Sequence, residues 1–369
     1  MDKNQFILAP GPTECRQEFL NILSNRICHH RSYEFKEVFD KVRNQIKNIV
    51  NLNQEGEVII LTSSGTATME ASVCNFFRKN DEVLVISIGY FGNRFVDICK
   101  AYDLHVHVLQ YKLGETYDKN EVKNFISSHP DLKGVFITHH ETSSGVKNDI
   151  AYVGNLIKNM DNCLFIVDSI SGLLVHPMDM EKYHVDCVLA GSQKGFLIPP
   201  GIAFACLSSK ALKLMDRSDL PRFYLDFRKY LKSMEVSETP FTPNISLIFA
   251  MEKACHYICN TVGLENYYNH HYEFRSYLES RLKDIGFHTD FAQEENKGNV
   301  MVVIKLKEFM SSTMIHREIE SMGINIARGM GENAEHLLRV GVIGDITKEH
   351  LDKFIIVFKT VIDRLYSEV

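Results

Sequence analysis

The sequence predicts an α/β fold in which a mainly parallel sheet of seven strands lies between helices, followed by a small α+β domain. Seven short apolar runs alternate with helix-like segments. Strands that are apolar on both faces are typical of a sheet covered by helices on both sides. A chain of 369 residues that is 45% hydrophobic can bury such a core. The runs are Glu57–Thr62, Glu82–Ser87, Leu104–Leu109, Gly134–Thr138, Cys163–Asp168, Asp186–Ala190 and Ile202–Cys206.

An N-terminal arm precedes the sheet. The segment Phe6–Thr13 is predicted to be a short strand broken by two prolines around Gly11, stiff and suited to lie across another surface. An amphipathic helical pattern follows from Gln17 to Val50 and is interrupted at residues 29–35. Ser32, within the interruption, can cap the helix that follows it.

The last third of the chain mixes helices and strands. A long helix is predicted over Ile245–Thr261, and strands over Asn299–Lys305 and Leu337–Val342. This mixture is typical of a separate α+β domain. We therefore expect residues 1–260 to form the arm and a large domain, and residues 261–369 to form a small C-terminal domain.

The composition argues against several classes of partner. The net charge is -6, and no block of five like charges suggests a surface for nucleic acid or anionic membrane. The first residues lack the apolar core of a signal peptide, and no apolar run approaches the roughly 18 residues that a membrane span needs. We therefore expect a cytoplasmic protein that acts on small molecules.

The cysteines and histidines do not predict a metal site. Nine cysteines without a Cys-x-x-Cys pair suit reduced thiols in the core. The adjacent histidines lie at 29–30, 139–140 and 270–271. Adjacent side chains diverge on a strand or a helix, and no His-x-x-x-His motif with a third ligand accompanies them. We therefore expect no bound metal.

The carboxyl ends of the predicted strands carry the candidate site, because ligands of parallel α/β sheets bind there. After the first run, small hydroxyl residues and a glycine open a helix. Free N–H groups and the dipole at a helix N-terminus attract an anion, so Ser64, Gly65 and Thr66 suit a phosphate. A plain capped helix explains the same residues equally well. The nucleotide P-loop and the Gly-x-Gly-x-x-Gly motif are both missing.

Three further strand ends carry residues whose side chains suit binding or catalysis. Phe91 follows the second run and can present a flat ring, although an aromatic residue there is more often part of the core. Asp168 ends the fifth run, where a carboxylate is unfavourable without a cationic or strong-donor partner. Lys194 follows the sixth run; taken alone, such a lysine usually extends its charge to solvent.

Together these residues meet the requirements of pyridoxal phosphate. A lysine forms a Schiff base with its aldehyde, and a carboxylate keeps the pyridine nitrogen protonated. An aromatic ring stacks on the pyridine, and a helix N-terminus binds the phosphate. The combination is more specific than any of its members.

The chain resembles the class V aminotransferases of fold type I, and among them the branch of alanine/serine-glyoxylate and 2-aminoethylphosphonate transaminases. The resemblance covers nearly the whole chain, in the order that the family keeps. The matching segments are Pro10-Gly-Pro12, His30-Arg-Ser-Tyr-Glu-Phe35, Ser63-Ser-Gly-Thr66, Gly89-Tyr-Phe-Gly-Asn-Arg94, His140-Glu-Thr-Ser-Ser-Gly145, Val167-Asp-Ser-Ile-Ser171, Gly191-Ser-Gln-Lys-Gly195, Thr239-Pro-Phe-Thr-Pro243 and Leu338-Arg-Val-Gly341.

The resemblance implies cofactor contacts for the matching positions. Lys194 would form the Schiff base and move a proton between substrate and cofactor, while Asp168 would pair with the ring nitrogen. Phe91 would stack on the ring, where relatives often have tryptophan, a residue that this sequence lacks. The phosphate would be bound by Ser64, Gly65, Thr66 and Gln193.

The resemblance also implies contacts around the cofactor. Thr142 would bond to the ring hydroxyl side or to the aspartate. Thr242, and less surely Thr239, would reach the phosphate of a neighbouring subunit, so that a homodimer shares its active sites. Arg339 would bind the substrate carboxylate with two N–H groups, and Gly11 would let the arm approach the substrate closely.

Arg31 and the two histidines before it have no firm role: they would edge the entrance to the site or fix an interface.

Two residues bear on the reaction class. Gln193 precedes the lysine, where cysteine desulfurases and related lyases commonly have histidine, and no cysteine follows Cys259. Both favour ping-pong transamination from a donor of the alanine or serine type to glyoxylate or pyruvate. The alternative is 2-aminoethylphosphonate-pyruvate transamination; a desulfurase-type lyase is less favoured, and a non-catalytic scaffold least. Burial beside a cationic cofactor should lower the pKa of Lys194.

Overall fold

The fold is described here from a computed structural model, which covers residues 5–331 and 334–366. Its strands are β1 (Phe6–Ile7), β2 (Glu57–Leu61), β3 (Glu82–Ser87), β4 (His105–Gln110), β5 (Gly134–Thr138), β6 (His140–Glu141), β7 (Val146–Lys147), β8 (Leu164–Asp168), β9 (Cys187–Gly191), β10 (Ala203–Leu207), β11 (Met301–Lys305), β12 (Ile324–Asn325), β13 (Ala327–Arg328) and β14 (Leu337–Gly341). Its α-helices are α1 (Gln17–Ile22), α2 (Tyr33–Ile49), α3 (Gly65–Phe76), α4 (Tyr90–Ala101), α5 (Lys119–Ser128), α6 (Ile150–Ile157), α7 (Ser209–Leu214), α8 (Phe227–Met234), α9 (Ile245–His256), α10 (Leu264–Asp284), α11 (Ser312–Ser321) and α12 (Lys348–Tyr366).

The central sheet has seven strands in the order β2-β10-β9-β8-β5-β3-β4. The pairs among β9, β8, β5, β3 and β4 are all parallel, whereas β10 runs antiparallel to both of its neighbours. Each predicted apolar run is one of these strands, displaced by at most one residue at either end. The prediction of a mainly parallel seven-stranded sheet is therefore confirmed. Most of these strands are buried along their whole length, which explains their apolar sequences.

The helix α2 shows how the helical layer attaches to this sheet. Its N-cap is Ser32, whose hydroxyl accepts a hydrogen bond from the Phe35 N–H, so the predicted cap is present. Its buried residues recur every three or four positions and place one face of the helix against α9. These buried residues are Phe35, Phe39, Val42, Ile46 and Ile49.

The C-terminal part has its own antiparallel sheet, in the order β11-β14-β13, with α10, α11 and α12 packed around it. Its apolar side chains form a second cluster, separate from the core around the central sheet. A division of the chain near residue 260 stays a prediction.

The N-terminal arm connects the two parts of the molecule. Strand β1 pairs in parallel with β12, and Phe6 and Leu8 pack in the C-terminal cluster. Further along the arm, the Thr13 N–H donates to the carbonyl of Gln193, 3.2 Å away. The arm therefore crosses the carboxyl end of the central sheet, next to Lys194.

Within residues 5–331 and 334–366, no helix is long and apolar enough to cross a membrane.

Candidate active site

A cavity of about 280 Å³ lies where the carboxyl ends of the central strands meet the arm. It brings together most of the site residues that the sequence predicted. Those that line it are Gly11, Ser64, Gly65, Thr66, Phe91, Thr142, Asp168, Gln193 and Lys194. The other lining residues are Pro12, Arg94, His140, Ile170, Ser171 and Pro200. The prediction that the strand ends converge on one site agrees with this geometry.

Lys194 is buried, three residues after the end of β9. Its Nζ atom donates a hydrogen bond to the carbonyl oxygen of Pro10, 2.5 Å away. Burial and, to a lesser extent, the positive charge of Arg339 lower the pKa of Lys194 to about 8, against the opposing effect of Asp168. The lowered pKa lets part of this amine, roughly a tenth at pH 7, lose its proton, as a nucleophile or a base must.

Gly11 is the point at which the arm touches the lysine. Its φ angle is +141°, a conformation that side chains with a Cβ atom rarely adopt. A Cβ atom at this position would lie 2.0 Å from the Lys194 Nζ atom. The backbone conformation therefore favours glycine, and any larger residue would also require the Lys194 side chain to move.

Asp168 ends β8 and lies on the floor of the cavity. One of its carboxylate oxygens, Oδ1, accepts a hydrogen bond of 2.9 Å from the Ile170 N–H. Burial raises the pKa of Asp168 to about 6, and the nearby Glu141 adds to this effect. A cationic group placed in the cavity would lower this pKa again, so the site favours a ligand with a positively charged ring nitrogen.

The N-terminus of α3 forms one wall of the cavity. Its N-cap residue, Ser64, makes no side-chain hydrogen bond to the helix, so the N–H groups of the first turn are not capped by this hydroxyl. The Thr66 hydroxyl accepts a hydrogen bond of 2.9 Å from Arg94 Nη1. Backbone N–H groups, hydroxyls and a guanidinium thus lie together at the positive end of a helix, which suits a phosphate.

Arg94 did not emerge from the sequence as a site residue, although its motif did. It lies three positions after Phe91 on α4, so the two side chains share a helix face. Its guanidinium carbon is 4.8 Å from the centroid of the Phe91 ring. The spacing of three residues between Phe91 and Arg94, which places both on one helix face, was the sequence pattern that could have identified Arg94.

A buried carboxylate fixes the position of Phe91. Glu141 Oε2 accepts hydrogen bonds from the N–H groups of Phe91 (3.0 Å) and Gly92 (3.1 Å) at the start of α4. Its other oxygen, Oε1, accepts from the N–H and the hydroxyl of Ser143. Burial raises the pKa of Glu141, and these donors oppose the increase. Glu141 therefore orients the aromatic wall of the cavity without lining it.

Arg339 projects from β14 toward the same region. Its Nε atom donates to the carbonyl of Arg328 and its Nη1 atom to the carbonyl of Thr142, each at 2.7 Å. Burial lowers the pKa of Arg339 to about 10. The two carbonyls thus hold the guanidinium beside Thr142, which lines the cavity. In this position the positive charge of Arg339 lowers the pKa of Lys194.

His140 is a second lining residue without a predicted role. It is buried, and neither of its ring nitrogens has a hydrogen-bond partner among the described residues. Burial lowers the pKa of His140 to about 3, so the ring is neutral at ordinary pH. A buried polar group without a partner is unfavourable, which is consistent with a polar ligand in the adjoining space.

Some of the predicted residues lie elsewhere in the isolated chain. Neither Thr239 nor Thr242 lines the cavity: the Thr239 hydroxyl donates to the Phe241 carbonyl, and Thr242 is exposed. Arg31 is also exposed, with its Nε atom 3.6 Å from a carboxylate oxygen of Glu238. A larger opening, about 520 Å³, adjoins His139 and His176 but contains none of the predicted site residues.

The residues of the smaller cavity fit pyridoxal phosphate. A buried amine, a buried carboxylate, an aromatic ring and a helix N-terminus face one space, and the backbone at Gly11 leaves room for the lysine side chain. Among the described residues that line this cavity there is no cysteine.

Comparisons with known proteins agree with this geometry. Residues 13–354 match the family model of the class V aminotransferases, described as "Aminotransferase class-V". The chain is 29% identical over 349 residues to the soluble hydrogenase 42 kDa subunit of Anabaena cylindrica, covering 94% of this chain and 90% of that protein. It is 27% identical over 345 residues to L-aspartate--glyoxylate aminotransferase of Paracoccus denitrificans, covering 92% and 87%.

A solved structure shows the same fold over nearly the whole length. The alanine--glyoxylate aminotransferase of Nostoc sp. superposes with a TM-score of 0.92 at 25% identity, covering 98% of this chain and 96% of that chain. The family match covers most of both hydrophobic clusters and every residue of the cavity except Gly11 and Pro12. The chain therefore belongs to the class V aminotransferases, and it is a transaminase of fold type I that uses pyridoxal phosphate.

Proposed function

We propose that this transaminase transfers an amino group from a small donor of the alanine or serine type to glyoxylate or pyruvate by a ping-pong mechanism. The observation that carries the proposal is the small cavity that holds Lys194, Asp168 and the N-terminus of α3 together. At about 280 Å³ it lies just below the usual range of ligand sites, roughly 300–1,000 Å³. Because the cofactor occupies much of this space, only a small substrate fits beside it.

Bound pyridoxal phosphate supplies an electron-withdrawing ring that stabilises negative charge on the substrate α carbon. Lys194 is the group that moves protons: its buried Nζ atom, with a pKa lowered to about 8, removes the proton from the α carbon. Asp168 would keep the ring nitrogen of the cofactor protonated, because an anionic carboxylate that lines the cavity favours a positively charged partner.

The walls position the cofactor. Ser64, Gly65 and Thr66 offer the N–H groups and hydroxyls of the α3 N-terminus to the phosphate, and Arg94 adds a positive charge through Thr66. Gln193, Thr142 and Phe91 line the same cavity; Thr142 would face the cofactor ring, and Phe91 would stack on it. Phenylalanine gives a smaller stacking surface than tryptophan, so we expect weaker cofactor affinity and unchanged chemistry.

Arg339 binds the carboxylate of the substrate. Two of its N–H groups are bonded to the carbonyls of Arg328 and Thr142, which fixes the plane of the guanidinium. The N–H groups that remain can donate to two oxygens at once. Gly11 lies close to Lys194 and leaves room for the α carbon to reach the amine.

We also propose that the working form is a homodimer in which Thr242, and less directly Thr239, completes the phosphate site of the neighbouring subunit. Both residues lie outside the cavity of their own chain, and Thr242 is exposed. Next to them is a patch of exposed or half-buried aromatic rings, with Phe223 and Tyr224 packed on Phe241. Exposed aromatic clusters are typical of interaction surfaces.

Mixed subunits test the shared site. A chain with Lys194→Ala and a chain with Thr242→Val, refolded together, should form hybrids in which one site has both native residues. We expect the hybrid to regain the cofactor affinity that Thr242→Val alone has lost. A fully active monomer, or Thr242→Val with native affinity, contradicts the shared site.

The choice of substrate rests on the relatives and on the size of the cavity. The proteins from Paracoccus denitrificans and Nostoc sp. are named for aspartate and alanine as donors, and both for glyoxylate as acceptor. We favour alanine or serine over aspartate, because a second carboxylate would need a second cation in a cavity of this size. Glyoxylate is the preferred acceptor, and pyruvate the next.

A donor panel tests the function directly. The purified holoenzyme is mixed with alanine, serine, aspartate, cysteine or 2-aminoethylphosphonate, and the loss of the yellow absorption band is followed in single half-reactions. We expect alanine or serine to react fastest and glyoxylate to restore the band. Sulfide release from cysteine would favour a lyase, and fastest reaction with 2-aminoethylphosphonate would favour the phosphonate transaminase. A protein that does not take up the cofactor would contradict the whole proposal.

A further inference from the structure

Two histidines and a glutamate form a cluster at the edge of the central sheet, far from the cavity. Glu82 is the first residue of β3, and His105 and His107 lie on the edge strand β4. One ligand-capable atom of each side chain lies within 4.8 Å of the same atoms of the other two. We propose that this cluster binds a zinc ion, or a divalent cation of similar preference, which joins β4 to β3.

The strand geometry explains why three ligands meet there. Residues two apart on a strand face the same side of the sheet, so His105 and His107 project together. In the parallel register, Glu82 lies directly opposite His105 and diagonally opposite His107. Neighbouring strands are separated by roughly 4.8 Å, which places the carboxylate within reach of both imidazoles.

The distances suit a shared ion better than direct hydrogen bonds. The separations are 3.7 Å from Glu82 Oε1 to His105 Nδ1 and 3.9 Å from Oε2 to His107 Nε2. Both exceed the range of a hydrogen bond. Ligands of a tetrahedral zinc ion, at about 2.1 Å from the metal, are roughly 3.4 Å apart. Because the three ligand atoms lie within 4.8 Å of one another, small side-chain movements would bring them to the spacing of zinc ligands.

The atom that points into the cluster is unsatisfied. The buried Nε2 atom of His107 has no hydrogen-bond partner within the described ranges. The ring itself is held in place: its centroid lies 4.7 Å from that of His105, 5.3 Å from that of Phe125 and 5.0 Å from that of His129. A fixed imidazole with an unused nitrogen is a preorganised metal ligand.

The ligand types favour zinc. Two histidine nitrogens and one carboxylate oxygen match the ligand sets of borderline-soft divalent ions, and water can occupy a fourth position. The cluster lies at the amino ends of β3 and β4, whereas the cavity lies at the carboxyl ends of the central strands. With six residues to a strand, the two sites are separated by roughly 20 Å. The ion would therefore stabilise an edge strand and take no part in transamination.

Metal titration tests the proposal. The full-length holoenzyme, without an affinity tag, is treated with a chelator, dialysed, and titrated with zinc against a chromogenic competitor. We expect one tight zinc site per chain, weakened about tenfold or more by His105→Ala or His107→Ala and abolished by the double variant. Cobalt bound at the site should show the visible bands of tetrahedral coordination, and zinc should raise the Tm of the wild type.

Two controls separate this site from other zinc ligands. His288→Ala removes an exposed histidine that lies outside the cluster and should leave the titration unchanged. His140→Ala and Asp168→Asn each remove a group in the active-site cavity that can bind zinc, so unchanged zinc binding in both variants excludes the active site as the binding position. If the double variant binds zinc as tightly as the wild type, or if the wild type binds none at micromolar concentration, the proposal is wrong.

Discussion

The Nζ atom of Lys194 lies 2.5 Å from the carbonyl oxygen of Pro10, and the next residue, Gly11, leaves just enough space for the lysine side chain. The N-terminal arm and Lys194 are therefore in direct contact, although they are far apart in the sequence. For Gly11→Ala we expect weak cofactor uptake and a fall in turnover of at least about 10²-fold, since the new methyl group displaces the amine.

Gly286→Ala is the matched control for this variant. Gly286 also has a positive φ angle, +81°, but no atom lies within 4 Å of the Cβ position. It therefore reports the effect of backbone strain alone, which should lower the Tm without affecting the absorption spectrum of the bound cofactor. Equal losses of cofactor affinity in both variants would show that the contact with Lys194 is unimportant.

Asp168→Asn should retain the cofactor but lose most of the activity. The amide cannot supply the negative charge that holds a proton on the ring nitrogen, so we expect turnover to fall by roughly 10²-fold or more. Single-turnover half-reactions with alanine measure this step apart from substrate release. The control is Asp186→Asn, which removes another buried carboxylate, one that bonds to the Phe165 N–H and the Ser208 hydroxyl. That variant should lower the Tm and leave the half-reaction rate nearly unchanged.

The strands and the main site residues could be predicted because their patterns are local. Mostly continuous apolar runs marked the central strands, and the parallel topology brings together residues at or after the strand ends, such as Asp168 and Lys194. Glu141, Arg94 and His140 were not predicted as site residues. Their roles depend on which side chain faces which neighbour across separate elements, and no single-sequence pattern records this.

The same reasoning explains two other gaps. The pairing of β1 with β12 joins segments from opposite ends of the chain, and two-residue strands have no recognisable periodicity. The cluster of Glu82, His105 and His107 was missed because adjacent histidine pairs and helical spacing were considered, whereas ligands on a strand alternate at every second residue. The register between the neighbouring strands β3 and β4 then places the Glu82 carboxylate beside the two histidines.

Glu141→Gln tests how the position of Phe91 is set. The amide group replaces one of two oxygens that both accept hydrogen bonds, so at least one N–H or O–H donor loses its acceptor. We expect a loss of about 1–3 kcal/mol in the free energy of unfolding, and an altered circular dichroism of the bound cofactor as the aromatic wall moves. Ser143→Ala removes one hydroxyl, which donates to Glu141 and accepts from the Tyr90 N–H, but leaves the carboxylate in place, so it should show a smaller change in both measurements. A destabilised Glu141→Gln protein with native cofactor spectra would show a purely structural role.

Arg339→Lys tests recognition of the carboxylate. An ammonium group cannot reproduce the planar arrangement that the carbonyls of Arg328 and Thr142 impose on the guanidinium. We expect the KM for alanine to rise about 10- to 100-fold, with a smaller change in kcat. A simple alkyl amine, which has no anionic group, is the control donor, and its slow half-reaction should be equally slow in both proteins. Parallel losses with both donors would assign Arg339 to the fold and not to the substrate.

Lys194→Met should stabilise the cofactor-free protein at neutral pH. Burial lowers the pKa of Lys194 from 10.5 to about 8, and a shift of this size corresponds to about 3 kcal/mol. Below pH 8 the amine is charged in both the folded and the unfolded chain, so the full penalty is present. Between pH 8 and 10.5 only the unfolded chain keeps the proton, and the stability of the wild type rises with pH. In urea unfolding, the free energy of unfolding of the variant should therefore exceed that of the wild type by about 2–3 kcal/mol at pH 7, and the difference should shrink above pH 8.

Lys210→Met is the control, because Lys210 donates to the Cys163 carbonyl and lies 3.3 Å from an Asp186 oxygen. That change should destabilise the protein at every pH, and if Lys194→Met behaves in the same way, the lysine is not held in an unfavourable environment.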